Sequence, residues 1–170
     1  MSPRAAWRLE TLGFRDVYDY TDGKLDWMAA GFPMEGTNAE RPRAAEVARK
    51  DVVTCRLDER LGDVSERAAA RGWEAAVVLN EERVVLGLLR KKELASDAGQ
   101  PVEDAMRPGP STFRPYVAIA EMAAFMAEHN LDSSPITTSD RRLVGLFLKE
   151  DTIRVANELH EGHEGEDKAS

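Results

Sequence analysis

A single cysteine, Cys55, in 170 residues excludes an intramolecular disulfide, so the fold must hold without covalent staples. No stretch is apolar for long enough to act as a signal peptide or to span a bilayer, which makes a cytosolic location the default expectation and gives no membrane partner. Positive charge is in deficit: 23 Lys and Arg against 31 Asp and Glu leave a formal net charge of −8. That balance disfavours nonspecific attraction to nucleic acid or to an anionic lipid surface. Also missing is any grouping of nucleophile, base and orienting acid, or any metal-ligand spacing in the part of the chain expected to be ordered. No catalysis is expected, and no cofactor is required. What the chain does have is apolar content, with 42 % hydrophobic residues, enough for the core of one medium domain or two small ones.

Those apolar residues follow a pattern that occurs twice. The run from Val84 to Glu93 and the run from Arg142 to Asp151 each read as an apolar strand with one internal glycine, ending in charges that open a helix. The glycines, at 87 and 145, stand 58 positions apart. The same offset carries Ala48 onto Met106, Thr54 onto Thr112, Arg56 onto Arg114, Leu61 onto Ile119, Asp63 onto Glu121, Val78 onto Ile136 and Glu93 onto Asp151. A gapless repeat of this length means two copies of one folding unit.

Taken in order, Ser2 and Pro3 open a short helix through Ala5, Ala6, Leu9 and Leu12 that Gly13 ends. Phe14 to Tyr20 has the character of a strand, Thr21-Asp22-Gly23 that of a turn, and Leu25 to Ala30 that of a second helix closed by Gly31-Phe32-Pro33. Residues 1–36 thus form a short αβα unit, whose lone strand must find a partner elsewhere. Glu35 to Ala44 is polar and reads as a linker, with residues 37–44 separating the first unit from the repeats.

The first copy, residues 45–98, has a strand at Val52 to Thr54, a helix with a stripe of Leu61, Val64, Ala68 and Ala69, strands at Ala75 to Leu79 and Val84 to Leu89 around an Asn80-Glu81-Glu82 turn, and a helix starting at Lys91. Ser96 to Gln100 separates the copies. The second, residues 102–160, has a stripe of Ile119, Met122, Phe125 and Met126, strands at Pro135 to Thr137 and Leu143 to Leu148 around Ser139-Asp140, and a closing helix from Glu150 to Leu159. Residues 161–170 are charged and carry almost no apolar side chains, the composition of a disordered tail. His160 and His163 near the start of that tail offer too little order for a metal site. The Met122, Phe125 and Met126 face is larger than one small domain needs, which points to a homodimer.

Two resemblances follow from these residues. Ser2, Ala5, Leu9, Leu12-Gly13-Phe14, Val17, Tyr20, Gly23, Trp27, Gly31 and Pro33 resemble the closing segment of a rhodanese domain. The catalytic cysteine loop of that family would lie just before this helix, and Cys55 lies outside the segment. The resemblance therefore implies a remnant with a structural role, or a natural start upstream of Met1. A truncated rhodanese-like sulfurtransferase is the alternative function that it suggests.

The second resemblance covers about residues 45 to 160. Two β-α-β-β-α units, Val102 to Met106 leading the second, Ser134-Pro135-Ile136 before its turn and Leu143 to Phe147 at its close resemble a tandem pair of cystathionine β-synthase (CBS) domains. The implied fold class is α/β, more exactly α+β: two repeats packed as a pseudo-twofold Bateman module behind the short αβα fragment. The resemblance also implies a non-catalytic regulatory role, with an adenosine-type ligand (AMP, ADP, ATP or S-adenosylmethionine) in the cleft between copies, a homodimer and an unknown regulated protein.

A nucleotide needs an apolar slot for adenine, a carboxylate for the ribose hydroxyls, and cations or donors for phosphate. The resemblance gives Asp151 the ribose acid, Thr112 the hydroxyl of the strand-entry loop, and Pro135 with Ile136 the edge of the adenine slot. In the first copy the matching residues are Thr54 and Glu93, with Arg90, Lys91 and Lys92 able to offer charge to a phosphate. Many nucleotide-binding copies have Ser or Thr three positions after the glycine, where this chain has Arg90 and Leu148. At most one good site, beside Asp151, is expected. Each of these residues also has a plain structural use: an acid opening a helix is favoured by capping and dipole, and threonine suits strand ends.

Overall fold

The computed structural model describes residues 3–18 and 42–151, together with Gly23, Trp27, Ala30, Phe32, Pro33 and Glu35. Most of the expected second N-terminal helix, most of the closing helix after Asp151, and the tail lie outside the described residues. The elements in chain order are α1 (Pro3–Thr11), α2 (Ala44–Val47), β1 (Val53–Cys55), α3 (Leu61–Ala70), β2 (Ala75–Leu79), β3 (Val85–Arg90), α4 (Lys91–Leu94), α5 (Val102–Ala105), β4 (Arg107–Pro108), α6 (Ile119–Glu128), β5 (Ser133–Thr137) and β6 (Leu143–Leu148).

α1 ends in a Schellman motif. The Phe14 N–H donates to Leu9 O and the Gly13 N–H to Glu10 O, with Gly13 at φ +91°, a conformation that glycine adopts without penalty. Beyond it the expectation of a strand fails over the described residues, since 14–18 show no strand pairing. Phe14 and Tyr18 are exposed, so their aromatic character reports a free surface rather than a sheet face.

The repeat is confirmed pair by pair. β1 runs parallel to β2, β2 antiparallel to β3, and β5 antiparallel to β6. Val78 opposes Gly87 as Ile136 opposes Gly145, and both hairpins carry a register shift one residue later. Cys55 pairs with Val78 in β1, and Phe113 makes a single parallel bridge to Ile136 at the same offset. The turns match as well: Asn80 Oδ1 accepts the Val84 N–H, and Thr138 Oγ1 accepts the Arg142 N–H. The copies meet along β3 and β6, where the Val85 N–H donates to Arg141 O and the Leu143 N–H to Arg83 O.

Each copy's leader crosses to the other copy. Arg49 pairs with Leu146 of β6, exchanging both N–H···O bonds at 2.9 and 3.0 Å, while Arg107 and Pro108 pair with Leu88 and Gly87 of β3. The helices follow the same rule. Ala44 and Ala45 donate to Val117 O and Pro115 O in the second copy, and Val102 and Glu103 donate to Glu59 O and Leu57 O in the first. The crossing explains the repeated glycine. A Cβ on Gly145 would stand 2.9 Å from Ala48 Cβ and from Arg49 O, and one on Gly87 would collide with Met106 Sδ, because the crossing chain lies directly on the strand.

Two cores result. Leu61, Val64, Ala68, β2, Leu88 and Leu89 form the first with Val102 of the crossing leader; Met122, Met126, Ile136 and Phe147 form the second with Ala44 and Ala48. Ala44 is therefore core, not linker. In α3 the stripe is Leu61, Val64 and Ala68, while Ala69 is exposed, since it lies a full 100° past Ala68 around the helix. Met122 and Met126 are wholly buried in the second core, which includes Ala44 and Ala48 of the crossing leader, and Phe125 packs edge-on against Phe113, so the face read as a dimer surface is used within the chain.

Candidate functional site

A cleft of ≈ 1160 Å³ lies between the copies, framed by equivalent segments of both. From the first copy come Gly72 to Ala75, where α3 enters β2, and Arg90 to Glu93, where β3 enters α4. From the second come Asn130, Asp132, Ser133 and Leu148 to Glu150, at the same offset. The two crossing leaders add Arg49 and Arg107. The strand ends place these side chains here because β2 and β3 of the first copy and β5 and β6 of the second all present to the cleft the ends joined to their helices.

The two acids that sequence assigned to ribose are each bound twice by the protein. One oxygen of Asp151 accepts the Leu148 N–H at 3.1 Å, capping the helix start, and the other accepts Arg49 Nη2 at 3.0 Å and Nε at 3.2 Å. Glu93 repeats this, with Oε2 accepting the Arg90 N–H at 3.1 Å and Oε1 accepting Arg107 Nε at 2.7 Å. Each arginine reaches its acid because its leader crosses; within its own copy it would face the other strand. Burial works to raise the Glu93 pKa, and the Arg107 guanidinium with the Arg90 N–H outweighs it, holding the carboxyl below its ordinary value. The hydrogen bond to Asp151 raises the Arg49 pKa against the opposing effect of burial.

Asp151 has 1 % of its surface exposed and does not line the cleft, whereas Glu93 and Arg90 do. Thr54 lies in β1 opposite Val77, and its carbonyl accepts Arg67 Nη2 at 3.1 Å. Thr112 is half-buried beside Phe113. Pro135 lies in β5 opposite Leu146, and its carbonyl accepts the Phe113 N–H; Ile136 is fully buried in the second core. None of Thr54, Thr112, Pro135 and Ile136 lines the cleft.

Sequence reasoning missed Arg49, Arg107 and Trp73. The signal for the arginines was present, because Arg49 falls on Arg107 at the offset that relates Ala48 to Met106. Trp73 is 7 % exposed at the foot of β2, and the Arg49 guanidinium stands 5.7 Å from its ring centroid. Trp73 and Ala75 give the cleft an apolar wall, while Arg49, Arg90, Lys91, Lys92, Arg107 and Lys149 give it a basic rim against Glu74, Glu93, Asp132 and Glu150.

Cys55 supplies no nucleophile. It is 3 % exposed, and burial first, then the charge of Glu59 against that of Arg67, pushes its thiol up to about 12. Among the described residues no group of three His, Cys, Asp or Glu could hold a metal ion, and no helix is long and apolar enough to cross a membrane.

A family model described as "CBS domain" matches residues 44–97 and again 102–158. The matches begin after the N-terminal segment, whose resemblance to rhodanese finds no support in them. Among solved structures the chain is similar to the CBS domain pair of protein MJ0100 in complex with 5'-methylthioadenosine and S-adenosyl-L-methionine, at 16% identity and TM-score 0.64, over 69% of this chain and 98% of that one. It is similar to CBSX2 in complex with AMP at 17% identity and TM-score 0.61, over 66% of this chain and 92% of that one. The cytosolic domain of the Mg2+ channel MgtE in complex with ATP matches at 23% identity and TM-score 0.61, over 69% of this chain, which spans only 50% of that domain. At these identities the likeness concerns the fold.

Proposed function

Since the chain belongs to the CBS domain family, with two matched copies that together cover more than half of it, we propose that it is a regulatory module that binds an adenosine-type ligand in the cleft between its copies and signals to a partner protein. The candidates are AMP, ADP, ATP and S-adenosylmethionine. The observation that carries this is the cleft itself: one space built from equivalent segments of both copies, with an apolar wall at Trp73 and a basic rim. Adenine needs the former and phosphate the latter. Structurally related CBS pairs whose complexes contain S-adenosylmethionine, AMP or ATP support the ligand class. A ligand there touches both copies at once, so binding changes how they sit against each other, and a partner reads that change.

The ribose acid is the demanding part. Asp151, almost wholly buried and holding Arg49 on one oxygen, can take ribose hydroxyls only when Arg49 turns from it, so binding there includes the opening of an ion pair, whereas Glu93 lines the cleft and accepts one bond on each oxygen, leaving lone pairs for a ribose hydroxyl beside Arg107. The module converts nothing and requires no cofactor. A homodimer belongs to the same proposal. The exposed Trp7, Leu12, Phe14 and Tyr116 are apolar surface that a second copy would cover, and light scattering of a monomer at micromolar concentration would remove it.

Thermal melting and titration calorimetry with the four ligands test the proposal. A ligand specific for the native state raises the melting temperature and releases or absorbs heat; the absence of both for all four would count against a sensor. A second reading, an assembly module with an empty cleft, is favoured by the same ion pairs, which already give both acids a partner. Melting curves that no ligand moves are its signature.

A further inference from the structure

The two halves of the cleft are alike in shape and unlike in charge. Where the first copy presents Arg90, Lys91 and Lys92, the second presents Leu148, Lys149 and Glu150 at the same offset. Three of the acids on the rim are already matched: Glu150 by Arg49 at 2.8 Å, Glu93 by Arg107 at 2.7 Å and Glu74 by Lys91 at 2.6 Å. Arg90 and Lys92 carry no ion pair among the described residues, and of the four acids only the exposed Asp132 stands without one. Arg90 is also the one described residue with a buried side-chain nitrogen, Nε, that lacks a hydrogen-bond partner. A guanidinium N–H removed from water and left unpaired is unfavourable, and because Arg90 lines the cleft, an oxyanion bound there gives its guanidinium a partner once the side chain turns to meet it.

We propose that the Arg90–Lys92 lip is a polyphosphate seat: the cleft takes a ligand bearing a chain of phosphates, a nucleoside di- or triphosphate, and discriminates against a sulfonium such as S-adenosylmethionine. This rests on the adenosine ligand proposed above for the base, but not for the phosphates. The guanidinium fork of Arg90 suits two phosphate oxygens at once, while Lys92 adds a mobile point charge beside it. The chain as a whole carries −8, so these cations form a local field of opposite sign, and a cleft with low-dielectric walls strengthens such a field. A sulfonium meets the same cations as like charge. The second copy, with Leu148 and Glu150, offers the phosphates nothing comparable. The better half-site is therefore the first copy's, rather than the one beside Asp151.

The test is melting and calorimetry of the full chain with inorganic tripolyphosphate, ATP, AMP and S-adenosylmethionine, on the wild type and on Arg90→Leu and Lys92→Glu. Arg90→Leu installs the side chain that the second copy has at this place, and Lys92 is exposed, so each variant is compared with its own unliganded melting temperature. Tripolyphosphate and ATP should both raise the melting temperature, ATP binding more tightly than AMP and AMP more tightly than S-adenosylmethionine. Each substitution should weaken ATP and tripolyphosphate by at least about tenfold. Tripolyphosphate without effect on the wild type, with AMP or S-adenosylmethionine still binding, overturns the seat and leaves the adenosine proposal standing. Tripolyphosphate binding as well as ATP, with loss in both variants, supports the seat and removes the adenosine. Affinities for ATP unchanged in both variants overturn the seat outright.

Discussion

Arg49 Nη2 lies 3.0 Å from Asp151 Oδ1 although 102 residues separate them, and the contact exists only because the first leader crosses to the second copy. Arg107 and Glu93 repeat it at 2.7 Å in the opposite sense. The two pairs differ in burial. Asp151 has 1 % of its side chain exposed, so Arg49→Ala takes the Arg49 charge away from a buried carboxylate and should cost about 1–3 kcal/mol. Glu93 keeps 10 % and its arginine 55 %, so water can replace Arg107, and Arg107→Ala should cost under about 1 kcal/mol. Urea midpoints at neutral pH measure both. A larger loss in Arg107→Ala than in Arg49→Ala would contradict the burial argument.

The two glycines predict an asymmetry of their own. In Gly145→Ala the new methyl meets Ala48 Cβ and the Arg49 carbonyl at 2.9 Å, both rigid, and the crossing chain must shift at a cost of about 1–3 kcal/mol. In Gly87→Ala the first obstacle is the thioether of Met106, a flexible end that can swing away, so the loss should be smaller. Denaturation of the two variants giving the reverse order would show that the leaders do not lie on these strands as described.

The duplication was legible in the sequence because every repeated pair keeps its offset, and strand register depends on that spacing. The crossing was not. Ala48-Arg49 and Met106-Arg107 end in the same residue at the same offset, and an exchanged and an unexchanged pair have the same periodicity. This is why spacing alone presents Asp151 as an open ribose acid when Arg49, distant in sequence, covers it. Ala44 looks like linker in the sequence for the same reason: its burial comes from the other copy. Phe14 and Tyr18 show a different limit. Aromatic residues mark strands only when a sheet exists to receive them, and the described residues supply none there.

Acid should weaken the protein through Glu93. Its folded pKa lies below the ordinary 4.5, so its contribution is fully present above that value and is lost as pH falls through it toward the folded value. Glu93→Gln removes this group from the titration. The denaturation midpoint of the wild type should fall between about pH 5 and about pH 3 by more than that of the variant. Parallel curves for the two would show that Arg107 does not act on Glu93 in solution.

Cys55 should be inert in the folded chain. With its thiol pushed up to about 12 and buried, a disulfide reagent at mildly alkaline pH should label it only on unfolding. Labelling in buffer as fast as in concentrated urea would contradict the packing around β1.

Hydrogen–deuterium exchange of the full chain with and without saturating ATP tests the sensor most directly. The expected result is joint protection of four separate stretches, residues 72–75, 90–93, 130–133 and 148–150, two from each copy, since these frame the cleft together. Unchanged exchange in all four with ATP, AMP and S-adenosylmethionine in turn, or protection confined to one copy, would contradict a ligand held between them.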